Sequence, residues 1–267
     1  MKNKELRSLT VLTLGVCFVL LTVWGIASTA QQDSRTMQQP PALDHIPIVD
    51  FENPASADAK LDPKTRALRT ARGERYAKHV KGFILDREID GGMVLAFRYM
   101  QPLPAFPLGR SAIVAVGAVV DSQAYLSDDK TGIYSEFSIR IEEVLKNDRL
   151  GPTFPGSLVV AERVGGRVRF PSGRIILYGN REEGMPRQGR RYVFFLERQD
   201  QQYSLLTAYE LLSDRVYPLD GRNAPGGKGA LSIGDEYENS DATRFLSELQ
   251  RAIAKYSQTP LKETVKP

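Results

Sequence analysis

Arginine dominates the chemistry that this sequence offers. Between residues 163 and 198 there are nine Arg and no Lys, set against Glu182, Glu183 and Glu197. A guanidinium makes planar, bidentate contacts with carboxylates, sulfates and phosphates that an ammonium cannot. Arg167, Arg169, Arg174, Arg190 and Arg191, with Phe170, Tyr178 and Tyr192 interleaved, are therefore the candidate ligand-binding residues. The stretch 121–148 is their counterpart, with seven acids against Lys130, Arg140 and Lys146. Two arrangements follow. Either the acidic hairpin pairs with the basic strands across one sheet, or the arginines present an open face to an external anion. A formal net charge of only +4 favours internal pairing.

Other chemistries are poorly provided for. The two histidines, His45 and His79, both precede residue 82, and their spacing matches no helical ligand pair. A Ser-His-Asp triad in the later region and a multi-His metal centre are thus excluded. Cys17 is the sole cysteine and lies in the N-terminal apolar run, which leaves no thiol nucleophile or disulfide downstream. Gly226-Gly227-Lys228-Gly229 lacks the strand and spacing of a phosphate loop. No cofactor or metal is expected. One catalytic class needs no histidine, a serine activated by a lysine of lowered pKa. Signal peptidases of this kind place the serine before a Met and a Pro, but Gly184-Met185-Pro186 has glycine there.

The elements that must position these residues read as mainly β. Ile113–Val120 is apolar on both faces, as in a buried central strand. Tyr134–Val144 alternates, with Phe137, Ile139 and Ile141 facing one way, and Ser127–Gly132 is the hairpin loop before it. Leu158–Val164 and Arg167–Phe170 flank Gly165-Gly166, which predicts a second hairpin with a two-residue turn. Arg191–Glu197, Tyr203–Tyr209 and Leu211–Tyr217 complete a set of short strands typical of an antiparallel barrel or sandwich. Phe83–Leu85 and Met93–Tyr99 predict a further hairpin around Gly91-Gly92, and Gln101–Pro107 a stiff connector. A C-terminal amphipathic helix is expected at Ala242–Tyr256, capped by Asp241, with Phe245, Leu249, Ala252 and Tyr256 as its stripe.

Residues 62–81 predict another helix, with Pro63 in its first position. Arg66, Arg69, Arg72, Arg75, Lys78 and Lys81 recur at every third place. Over five such steps the row winds almost fully around a helix, so it makes no single face. A solvated, partly frayed helix is the expectation, against a stripe for anionic headgroups or polysaccharide.

YSEFSIRIEEVLKND (134–148) and QGRRYVFFL (188–196) resemble the OB-type barrels of netrin-like and metalloproteinase-inhibitor modules. The resemblance covers residues 111–217 and implies an antiparallel OB-type β-barrel. Those inhibitors use an N-terminal cysteine and disulfides that this chain lacks, so protease inhibition carries over to no residue.

At the N-terminus, basic KNKELR precedes an uncharged apolar run from Val11 to Ala27, followed by Ser28-Thr29-Ala30. This is a signal peptide cut after Ala30, or an uncleaved anchor, since Ser8 to Ala27 at about 1.5 Å per residue spans roughly 30 Å. Either places the remainder outside the cytoplasm. The expected organisation is a signal or anchor (1–30), a polar linker with the basic helix (31–81), the barrel (82–220), a Gly-rich connector (221–239), the C-terminal helix (240–258) and a tail (259–267). The expected function is a secreted or periplasmic, non-enzymatic module binding a protein or an anionic polysaccharide. A Ser/Lys hydrolase and a purely structural envelope protein are the alternatives. Nucleic acid is not an expected partner in that compartment, and the membrane is met only through an uncleaved N-terminal segment.

Overall fold

The computed structural model describes residues 43–52, 62–79, 93–96, 103–180, 183–221 and 235–258. Apart from Leu43 these belong to one unit, Asp44–Pro267. The signal or anchor, residues 31–42, 53–61 and 80–81 of the linker segment, the hairpin expected around Gly91-Gly92 (beyond Met93–Ala96), the passage 224–230 and the tail lie outside the described residues. Among those residues no helix is long and apolar enough to cross a membrane.

In chain order come β1 (Ile48–Asp50), α1 (Pro63–His79), β2 (Met93–Ala96), β3 (Ile113–Leu126) and β4 (Ile133–Lys146). They are followed by β5 (Leu158–Val164), β6 (Gly166–Arg169), β7 (Ile175–Asn180), β8 (Arg191–Gln199) and β9 (Gln202–Leu212). The chain continues through β10 (Arg215–Pro218), β11 (Ser240–Asp241) and α2 (Ala242–Gln258). One sheet has seven strands, ordered β11-β10-β9-β5-β4-β3-β8, and β9 pairs with β8 as well. The pairings β3–β4–β5–β9–β8 thus lead back to β3. All are antiparallel except β5–β9, where Ala161 and Glu162 run parallel to Tyr203 and Ser204. The second sheet, β1-β6-β7-β2, is mixed, because β1–β6 and β2–β7 are parallel.

The expected β5–β6 hairpin does not form. β6 leaves the first sheet and pairs with β7 and β1. Gly165 makes the switch with φ at +101°, in a place where a Cβ would come 2.8 Å from Tyr178 O. Its backbone stays satisfied by β4, since Gly165 N donates to Ile133 O and Ser135 Oγ donates to Gly165 O at 2.7 Å. The strands expected at 203–209 and 211–217 are also redrawn. β9 runs on to Leu212 and turns at Ser213, whose φ is +58°.

Among the described residues, apolar clusters form in these two places. Between the sheets lie Val49, Leu126, Ile133, Val168, Ile176 and Tyr178. Beneath α2 lie Leu108, Val114, Val116, Val193, Phe195 and Tyr209. α2 follows its sequence pattern at Phe245 and Leu249, with Ala252 partly buried. Tyr256, expected in the same stripe, is exposed because the helix end runs past the cluster. Asp241 Oδ1 accepts from Arg244 N at 2.8 Å, and Phe245 and Leu249 are fully buried. Phe106 of the connector stacks on Tyr237 and meets Phe245 edge-on, which fixes the route into β3.

α1 overturns the expectation of a solvated helix. Asp62 caps it, accepting from Thr65 N at 3.1 Å, but Arg69, Arg72 and Arg75 of its row are turned inward, while Arg66 stays exposed as expected. Arg72 is only 7% exposed, and Tyr76 stacks on Tyr134 with ring centroids 4.7 Å apart. Gly132 lets the helix approach this closely, because a Cβ there would sit 2.9 Å from Tyr76 O.

Candidate functional site

The segment before β1, the middle of β3 and the loop before β8 converge on a cleft of about 450 Å³. Arg167, Arg187 and Arg190 line it together with Ser122, Gln123 and His45. Arg167 belongs to the wall: it donates from Nε to Ile46 O at 2.8 Å and from Nη2 to Asp44 O at 3.0 Å. Arg187 and Arg190 are exposed on the opposite lip. Arg187 is positioned through its backbone, whose N–H donates to the Tyr192 hydroxyl at 2.9 Å. Burial pushes the Tyr192 pKa up to about 12, so the phenol stays neutral. Arg190 lies 3.9 Å from Glu210, a loose pair with its guanidinium half exposed. Arg167 is committed to Ile46 and to Asp44, whose carboxylate also lines the cleft, so the exposed Arg187 and Arg190 are the guanidinium groups that can hold a carboxylate, sulfate or phosphate there.

Of the five arginines read from the sequence, Arg167 and Arg190 line the cleft. Arg169 pairs with Asp50 at 3.2 Å, and Arg191 with Glu142 at 2.6 Å. Arg174 lies on the exposed β6–β7 turn, where its N–H donates to Ser172 Oγ. None of these three lines the cleft. The acidic hairpin neutralises only part of the basic stretch, through Glu142 with Arg191 and Asp148 with Arg198. Arg167 and Arg169 instead meet acids of the N-terminal segment, Asp44 and Asp50. Sequence reading missed Arg187, and its cleft partners come from segments far apart along the chain.

A second concentration of charge lies under α1. Arg72 pairs with both Glu136 and Glu162, the latter at 2.9 Å. Arg69 reaches Glu136 at 3.7 Å, and Arg75 pairs with Glu162. Arg75 also donates to Gln199 at 2.9 Å and Gln202 at 3.1 Å, while Gln202 Nε2 donates to Leu68 O. Arg69 lies 4.3 Å from the centroid of the Tyr125 ring. Burial raises the Glu162 pKa and outweighs the adjacent Arg75 and Arg72. Burial likewise raises Tyr76 and Tyr134. Arg69, Arg72 and Arg75 share a face, since two three-residue steps cover only about 120° of a helix, but that spacing does not say whether the face is buried.

A third charged site closes behind β5. Arg163 pairs with Asp220 at 2.9 Å, and Asp220 Oδ1 accepts from Gly184 N at 2.9 Å. Burial disfavours the Arg163 charge, but Asp220 and Glu183 together outweigh this and raise the Arg163 pKa. Gly184 is required here, since a Cβ would overlap Leu219 O. The Gly-Met-Pro sequence is thus a packing feature of this ion pair.

The half-buried Lys146 donates to the carbonyl oxygens of Leu108 and Ser111, and burial lowers its pKa. Ser111 is 2% exposed and its hydroxyl donates to Pro107 O, so the pair is directed at backbone rather than at a substrate. No family model, curated protein or solved structure matches this chain.

Proposed function

We propose that this chain is an exported, non-enzymatic binding module, an OB-type five-stranded barrel that captures an anionic group carried by a protein or polysaccharide. The observation that carries the reading is the gathering of Arg167, Arg187 and Arg190 around one open cleft. The cycle of pairings through β3, β4, β5, β9 and β8 supports the barrel, and folds of this type bind oligosaccharides on such surfaces. Export rests on the basic, apolar and small-residue succession of residues 2–30.

Retention on immobilised dextran sulfate, with neutral dextran as control, tests the reading. Arg187→Ala with Arg190→Ala removes two charge-assisted contacts and leaves the wall arginine in place. Each such contact contributes about 1.5–3 kcal/mol, so the double variant is expected to bind at least about tenfold more weakly. Unchanged retention by a folded double variant would sink it. N-terminal sequencing of native material separates release, beginning at Gln31, from anchoring.

A further inference from the structure

The two helices pack by opposite chemistry. α2 buries Phe245 and Leu249 completely in the apolar cluster below it. α1 presents Arg69, Arg72, Arg75 and Tyr76, and the sheet answers with Glu136, Glu162, Gln199 and Gln202. Buried ion pairs add little net stability, because each charge must leave water; their contribution is discrimination between partners. The face below α1 is also unsuited to standing alone. Glu136 and Glu162 are register partners on adjacent strands, so two carboxylates stand side by side and require a cation. Tyr125 and Tyr134 beside them supply the rings on which Arg69 and Tyr76 rest.

We propose that this face, built from Tyr125, Tyr134, Glu136, Glu162 and Gln202, is a recognition site for an arginine-bearing helix, with α1 as its resident and displaceable occupant. The partner is a helix with arginine at three successive third positions and an aromatic residue after the last, as in Arg69, Arg72, Arg75 and Tyr76. It meets the same carboxylates and the same rings, and it binds when α1 has left. The site is distinct from the anion cleft and selects the opposite charge.

Gly132 provides the lever for a test. Gly132→Ala drives a methyl group against the Tyr76 carbonyl, which lies 2.9 Å from the Cβ position, and leaves the carboxylates and rings unaltered. Full-length wild type and Gly132→Ala are titrated with a fluorescent peptide of residues 62–79. A control peptide carries Gln at 69, 72 and 75. The variant is expected to bind the peptide about tenfold more tightly than wild type, and neither protein binds the control. Equal binding by the two proteins, or equal affinity for the control, overturns the proposal. Native-state hydrogen exchange on the wild-type chain gives an independent reading should the variant misfold. Amides of α1 are expected to exchange through an opening that leaves β3 and β4 protected. Exchange of α1 only together with those strands overturns the proposal as well.

Discussion

Glu136 on β4 and Glu162 on β5 stand directly opposite one another, and the Arg72 guanidinium bridges their carboxylates. Like charges in this relation destabilise a sheet, and here each is also shielded from water. The bridge converts a repulsive pair into a three-membered ionic group, flanked by Arg69 and Arg75. Arg72→Ala is expected to lower the unfolding free energy by about 3–5 kcal/mol, measured by urea denaturation. Arg72→Lys keeps the charge but not the fork, and should fall between the two. A loss below about 1 kcal/mol for the alanine variant would mean that solvent replaces the bridge.

Asp148 predicts a pH dependence. Burial opposes its ionisation, but hydrogen bonds from Leu150 N, Arg198 and Tyr203 prevail and hold its pKa below the ordinary range. A carboxyl lowered by folding stabilises the native state above its unfolded pKa, and that contribution is lost as pH falls through the folded value. Asp148→Asn should therefore be less stable at neutral pH by about 1.5–3 kcal/mol and lose less on acidification below about pH 4. Glu162 has the opposite sign. Its raised pKa means that ionisation costs stability as pH rises through the folded value. Glu162→Gln should remove that pH dependence, although it leaves Arg72 and Arg75 without this carboxylate and lowers stability overall. Parallel pH profiles of melting temperature for the three proteins would contradict both assignments.

Phe245 tests the apolar lock of α2. It is fully buried and packs against Phe106, Tyr209 and Tyr237. Phe245→Ala should cost about 3–5 kcal/mol in chemical denaturation. A smaller loss, with helical circular dichroism intact, would show that the neighbouring rings collapse into the space.

Arg169 separates surface charge from the cleft. It pairs with Asp50 across a contact in which both side chains are 50% exposed. Arg169→Ala should change stability by less than about 1 kcal/mol. Dextran sulfate retention should stay near wild type, since Arg169 lies outside the cleft, whereas Arg187→Ala weakens it. Equal losses for the two variants would locate binding in general positive charge.

Strands were legible wherever one face is buried throughout their length. Ile113–Val116 is apolar and fully buried, and the alternation of Phe137, Ile139 and Ile141 marks the inward side of β4. α2 was equally plain, because Phe245 and Leu249 recur at a helical interval next to a capping aspartate. What stayed hidden depends on contacts between distant segments. Gly165-Gly166 has the composition of a tight turn, yet its chain continues into another sheet, a choice made by β1 and β7. The inward turn of Arg69, Arg72 and Arg75 depends on two glutamates at least sixty residues later in the chain, and polarity alone read as exposure. The cleft combines residues near 45, 122 and 188, which no local window contains.

β1 carries a mechanical consequence. Its three residues lie parallel to Arg167, Val168 and Arg169, and the chain just before it forms one side of the cleft. Tension drawn along the polypeptide upstream of Asp44 therefore loads this short pairing in shear, ahead of the long ladders of β3 and β4. Stretched in optical tweezers from its N-terminal end, the molecule should yield a small first extension as β1 peels from β6, before the main rupture. The cleft wall formed by Asp44–Pro47 would be displaced in that first step while the rest stayed folded.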